Sequence, residues 1–243
     1  MTESIRAFRL LLRWQYFQMR RELPMLIGIQ VVLALGIVYG LAFLIPNIDQ
    51  RAAAFLATGA PTITLLIIGL SPQEVSRDKV SGRHEYIRAL PVPRLALPAA
   101  RLVFWLLVQI PGTALAIVVA ATRFDFALHV SLAIVPAVVL VALSSTAVGH
   151  GLGEVMRPEA AFQAGSFLSV MVLLFSPVNF PVERLPGWLE AVHLVLPIKY
   201  MADLIRWSLT GGFAENIPLA FAIVSLWCAL GVTACWRAAL SRP

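Results

Sequence analysis

LVFWLLVQIPGTALAIVVAAT, residues 102–122, runs without a charge from Arg101 to Arg123. A hydrocarbon core of about 30 Å needs about 20 helical residues, so this stretch is long and apolar enough to cross a membrane. Five further charge-free windows surround it: Leu23 to Ile48, Ala52 to Gln73, Phe126 to Gly153, Ala160 to Val182 and Asn216 to Trp236. The predicted fold is therefore all-α and polytopic, a single membrane domain over residues 1–243, with six spans at about 24–46, 52–72, 99–121, 129–152, 160–178 and 216–236. The second span is the weakest by composition, diluted by Thr58, Gly59, Pro61, Thr62 and Thr64.

The bulk composition agrees. Charged residues are 13% of the chain and hydrophobic residues 59%, with a mean hydropathy of +0.83. A soluble domain carries about 25% charged residues and would aggregate with this much apolar surface. Net charge is +6, which in a soluble chain would suggest nucleic acid. Here the basic residues first have to be read as topology signals, and no nucleic-acid partner is expected. Cys228 and Cys235 share one helix face in an apolar run and predict neither a disulfide nor a metal framework.

Six spans place both termini on one side. With the termini inside, fourteen Lys and Arg residues fall on inner segments and five (Arg51, Arg123, Arg184, Lys199 and Arg206) on outer ones. The positive-inside rule then makes the termini cytoplasmic. Residues 1–22 precede the first span, which is too long for a cleaved signal peptide. Ile5, Phe8, Leu12, Tyr16 and Met19 step by three or four there, beside a stripe of Arg6, Arg9, Arg13 and Arg20. That pattern predicts an amphipathic helix along the inner membrane surface, against lipid; a plain positive flank would need no helix.

Two segments break the span pattern. RDKVSGRHEYIRALPVPR, residues 77–94, is a polar island on the cytoplasmic side. Residues 74–90 are free of proline and can be helical, with Gly82 the weak point, and Pro91 and Pro93 end the run. Residues 180–206 hold Pro181, Pro186 and Pro197 and a short apolar stripe of Leu185, Leu189, Val192 and Leu196, with Glu190 and His193 off it. Eleven-residue helices cannot cross a bilayer, so a re-entrant hairpin at the outer face is expected, covered by protein or lining water.

Candidate chemistry is sparse. Residues 149–153, GHGLG, follow no strand, so Gly149 and Gly153 fit small-residue packing better than a dinucleotide loop, as do Gly36 and Gly40. His150 and Glu154 share a helix face and could ligate a metal, but a zinc site needs three or four ligands, and a polar helix end explains them. Ser144 and Ser145 lie in no G-x-S-x-G. No G-x-x-x-x-G-K-[ST] occurs, so any ATP is bound by another chain.

Two motifs resemble the membrane subunits of type-two ABC exporters. In the cytoplasmic island Asp78 and Lys79 match the first two members of an acidic-basic-acidic trio, and Ser81, Gly82, Glu85 and Pro91 match the following Ser-Gly-Thr-x-Glu run and proline. Val80 stands where the second acid would be and Arg83 where the threonine would be. Phe180, Pro181, Leu185, Pro186, Gly187, Trp188, Pro197, Tyr200 and Arg206 resemble the family's outer hairpin. The resemblance implies a permease subunit of a bacterial inner-membrane exporter for a drug, antibiotic or lipid. It implies that residues 74–94 form the coupling region that docks on a cytoplasmic ABC ATPase subunit, and that a second permease copy or a homologue completes the conduit. The hairpin is further expected to seal the conduit from outside, an outer gate built from Phe180, Pro181, Leu185, Trp188, Leu189, Pro197 and Tyr200, the alternative being a passive surface loop. ATP and Mg belong to the partner ATPase, and no cofactor is expected in this chain. The alternatives are a lipid-linked glycan exporter, an intramembrane enzyme using His150 and Glu154, and a non-transporting scaffold.

Overall fold

The computed structural model describes residues 2–44, 49–89, 92–124, 131–212 and 216–240, which are mostly helical, with no strand among them. The six expected spans are present as α2 (Leu23–Leu44), α3 (Gln50–Gly69), α6 (Ala96–Arg123), α7 (Ile134–Val155), α8 (Pro158–Phe175) and α11 (Ile217–Leu240). Local chemistry sets several of their starts. Pro24 and Pro158 occupy first-turn positions that have no helical acceptor to satisfy. Asp49 caps α3 by accepting from the Ala52 amide at 2.7 Å.

The second span is the centre of the bundle rather than its weakest member. The long helical stretch Gln50–Val80 has 89% of its apolar window buried, against 17% for α8 and for α11. Thr58, Thr62 and Thr64 return their hydroxyls to their own helix, on Ala54 O, Thr58 O and Pro61 O at 2.7–2.8 Å. A helix surrounded by other helices needs small, self-satisfied side chains, whereas one facing lipid needs bulk apolar ones. Residues that dilute hydropathy therefore marked the interior.

The glycines of residues 149–153 confirm the packing expectation with three different neighbours. A Cβ on Gly149 would overlap the Gly69 carbonyl of α3, one on Gly151 would lie 3.1 Å from the Ala234 methyl of α11, and one on Gly153 would lie 2.8 Å from Val75. Gly36 and Gly40 do not behave this way. Nothing within 4 Å would meet a Cβ at either, and both fall in the wide π-helical turn Gly36–Leu41.

The N-terminal helix α1 (Thr2–Met19) forms as expected but is docked differently. Leu11 and Met19 are buried against α6, with Phe8 and Leu12 partly buried beside them. Ile5 and Tyr16 of the expected apolar stripe are exposed. The stripe is thus divided between a side that faces α6 and an outward side.

After α3 the chain bends at residues 70–72 and continues as α4 (Gln73–Val80), then α5 (Arg83–Arg88). Gly82 separates them at φ +69°, the left-handed conformation that favours glycine. At the opposite end, a 3₁₀ turn (Val182–Arg184) leads into α9 (Gly187–Val195) and α10 (Pro197–Thr210). The break between α9 and α10 falls at Leu196, where Pro197 sets an extended residue before it.

Candidate functional site

The polar island folds back on the bundle and buries part of its charge. Asp78 is 1% exposed and pairs with two arginines, Arg83 at 3.0 Å and, more closely, Arg101 at the start of α6. Arg101 also reaches Glu154 of α7 at 3.6 Å, and Glu154 lies 3.5 Å from His84 of α5. One helical turn away, Glu74 of α4 accepts from Gln15 of α1 at 2.6 Å and faces His150 Nε2 at 3.0 Å. Three carboxylates, two guanidiniums and two imidazoles thus join α1, α4, α5, α6 and α7 at one end of the bundle.

Lys79 has a different task. Its ammonium donates to the carbonyls of Gly153, Glu154 and Met156 at 2.7, 2.7 and 3.1 Å. These are the unpaired carbonyls at the C-terminus of α7, where the helix dipole is negative. Ser76 donates to Pro158 O at 2.6 Å, tying α4 to the start of α8 as well.

The expected coupling residues therefore divide into two faces. Asp78 and Lys79 point into the protein and fix the segment to the bundle. Ser81, Gly82 and Glu85 are exposed, with Val80 and Tyr86 beside them. Pro91 lies outside the described residues. His150 and Glu154 are engaged by Glu74, His84 and Arg101, and no cluster of three potential metal ligands occurs among the described residues.

Sequence reading did not single out Arg101, His84 or Glu74, although a signal was present. Arg101, Trp105, Gln109 and Thr113 recur every four residues along α6, and Thr146, His150 and Glu154 do so along α7. The two helices run antiparallel, and these positions meet in order: Arg101 with Glu154, the Trp105 ring 6.2 Å from the His150 ring, and Gln109 donating to Thr146 Oγ1 at 2.9 Å. A polar ladder therefore climbs from the ion-pair cluster into the apolar interior.

The outer-hairpin residues also divide. Pro197 and Tyr200 are buried, Phe180, Pro181, Leu185 and Leu189 are half-buried, and Trp188 is 70% exposed. Tyr200 donates to Leu194 O at 2.9 Å and so ties α10 back to α9. His193, expected off the apolar stripe, is the buried residue of α9. Its Nε2 sits 3.0 Å from Phe175 O, at the end of α8, where a terminal carbonyl needs a partner. Arg206, counted as a topology charge, is 2% exposed. It donates to Asp203 at 2.7 Å and to Val178 O at 2.9 Å, and its guanidinium lies 4.0 Å above the Phe55 ring of α3.

Comparison with curated proteins gives no match. The family model of the ABC-2 type transporter matches residues 6–210, which takes in α1, the ion-pair cluster and the outer hairpin through α10. A family whose members work with an ABC ATPase subunit accounts for a chain of six spans that carries a braced, outward-facing polar segment and no nucleotide motif. The chain belongs to the ABC-2 type transporter family, as a multi-pass permease subunit.

Proposed function

We propose that this permease exports a hydrophobic or amphiphilic compound from a bacterial cell across the inner membrane, paired with a second permease copy or a homologue. Its termini and the segment 73–88 face the cytoplasm, and ATP and Mg are held by the ATPase subunit. The observation that carries this reading is the two-faced segment α4–α5. Its outer face, with Ser81, Gly82 and Glu85, is free to dock, while its inner face is held through Asp78 and Lys79 to α6 and α7. A docking element must be rigidly joined to what it moves, and hydrogen-bonded ion pairs in a buried setting supply that joint. ATP-driven movement of the ATPase would then displace α6 and α7 rather than flex a loop. Uncharged span interiors suit an apolar cargo, since no ionisable pathway crosses the membrane midplane.

Glu85→Arg is the direct test. A charge reversal in a closely packed interface costs about 2–5 kcal/mol. The expected result is loss of stimulated ATPase activity in the purified complex, with the permease itself still folded, because Glu85 is exposed. An unchanged ATPase rate and intact assembly would remove Glu85 from the docking surface. Orientation is checked separately: a thiol placed at Gly82 should react with an impermeant reagent only from the cytoplasmic side, and one at Gly187 only from outside. The reverse pattern would invert the proposed topology.

A further inference from the structure

The C-terminal end of α9 is fastened to the bundle by three side chains. Tyr200 of α10 donates to Leu194 O at 2.9 Å, and Trp227 of α11 donates to Val195 O at 3.1 Å. The third is His193 of α9 itself, whose Nε2 lies 3.0 Å from Phe175 O at the end of α8. Histidine alone of these three belongs to a side-chain type that ordinarily gains a charge between about pH 5 and pH 8. A carbonyl accepts and never donates, so Nε2 carries the hydrogen of this bond. The other ring nitrogen, Nδ1, is buried with no hydrogen-bond partner among the described residues. Bare, it is the unused lone pair of a neutral imidazole. Protonated, it becomes a buried donor and a buried charge with nothing to meet either.

The surroundings offer this second proton no counter-charge. His193 is 3% exposed. Residues 160–182 on the α8 side and 217–227 on the α11 side hold no titratable side chain. From α10, Lys199 brings a further positive charge, and Asp203 is taken by Arg206. Glu190, one turn earlier on α9, accepts from neither ring nitrogen, and Glu183 of the preceding turn faces Arg51 at 4.0 Å. Burial therefore pushes the imidazole below its ordinary value; the bond to Phe175 O opposes the fall and Lys199 adds to it. We infer that His193 is an acid-released clasp: neutral, it fastens α9 to the end of α8; protonated, it leaves its site and frees the hairpin. A free imidazole takes up its proton near pH 6.5, the docked one only below that. The clasp thus holds in full above about pH 6.5 and weakens as pH falls through that value, by up to about tenfold per pH unit for the one proton involved. That the acid acts from outside, and that release opens the conduit, rest on the orientation proposed above and on the hairpin as the outer seal; the titration rests on neither.

The test uses the full permease–ATPase complex in proteoliposomes. A nitroxide is attached through Val192→Cys, an exposed position of α9, with the native thiols removed by Cys228→Ser and Cys235→Ala. Lowering the pH on the face away from the ATPase from about 7.5 to about 5.5 should raise the mobile fraction of the label about tenfold. His193→Gln keeps an N–H for Phe175 O but takes up no proton, so its label should stay equally immobile at both pH values. Lys199→Met removes the neighbouring cation and should shrink the acid response, which keeps the test decisive should His193→Gln fail to fold. Equal mobility of the unmutated clasp at both pH values would overturn the proposal, as would an acid response undiminished in either His193→Gln or Lys199→Met. A response to pH on the ATPase side instead would uphold the clasp and overturn the orientation. Loosening of α9 in acid with no rise in export or leak would uphold the clasp and refute the hairpin as the seal.

Discussion

Replacing Arg101 by methionine is expected to cost about 3–5 kcal/mol of stability, because it leaves buried carboxylates without their cation. Of the ion pairs described above, Asp78 would keep the one to Arg83 and Glu154 the one to His84, in a site where Asp78 and Arg101 are 1% and 4% exposed. Against a total stability of about 5–15 kcal/mol this is a large fraction. The thermal unfolding midpoint of the purified permease should fall by on the order of 10 °C. Breaking a buried pair and replacing it have opposite consequences, and this gives the prediction its second arm. The double variant Asp78→Leu with Arg101→Met removes both charges, and substituting apolar residues for a buried pair is often neutral. It should regain much of the lost midpoint, though not all, since Glu154 also loses Arg101. The coupling proposal makes a further demand on the same protein. If the cluster transmits motion from α4 and α5 to α6 and α7, the refolded double variant should assemble with its ATPase and still hydrolyse ATP without export. A wild-type midpoint for Arg101→Met would show that the cluster is structurally idle. A double variant that exports normally would show that it braces the fold and transmits nothing.

The residues of this cluster show how far the sequence could be read. Membrane helices announce themselves by the absence of charge, because an unpaired ion in hydrocarbon is expensive, and all six were found at that level. What hydropathy does not carry is which helix lies inside. Thr58, Thr62 and Thr64 lowered the score of α3 for the same reason that α3 is central. Nor does a charged loop reveal which of its charges are wet. Asp78, Lys79 and Glu85 look alike in a sequence of topology signals, yet only Glu85 is exposed, since Asp78 and Lys79 find Arg101 and the end of α7 within reach. The partners needed to see this are 23 residues away for Arg101 and 74–77 for the α7 carbonyls. The one local clue was the four-residue period of polar side chains on α6, which a reading for charge-free length passes over. On the outer side, periodicity placed the stripe of α9 but not His193. Its burial is decided by the terminal carbonyl of α8, a feature of the fold and not of α9 itself.

Arg206→Met is expected to have a comparable effect at the other end of the molecule, and there it bears on the proposed gate. Arg206 is held on three sides: by Asp203 on its own helix, by Val178 O at the exit of α8, and by the Phe55 ring of α3. Burial pushes its guanidinium down to about 10, with Asp203 opposing the fall, so the cation persists at neutral pH. Removing it takes the buried cation from the Asp203 carboxylate and from Val178 O and so frees the α8–α9 connection, at a cost of about 3–5 kcal/mol. Arg206→Lys keeps the charge but neither the fork nor the stacking, and should recover only part of that loss. The mechanical meaning is specific. With Arg206 in place, α10 is pinned to the central span, and His193 and Tyr200 hold α9 in turn. On the proposed gating the hairpin would part from the conduit only if α3 moves, and α3 leads through the bend at residues 70–72 into α4 of the proposed coupling segment. One run of chain, bent at residues 70–72, thus joins the proposed ATPase-docking surface to the proposed outer seal. If the hairpin is that seal, a disulfide between cysteines placed at Leu189 in the two permease copies should stop export while the complex stays assembled, and Arg206→Met should let a small dye leak through without ATP. Export at the normal rate with the crosslink complete would show that α9 and α10 are a rigid rim, and that the opening motion lies elsewhere in the bundle.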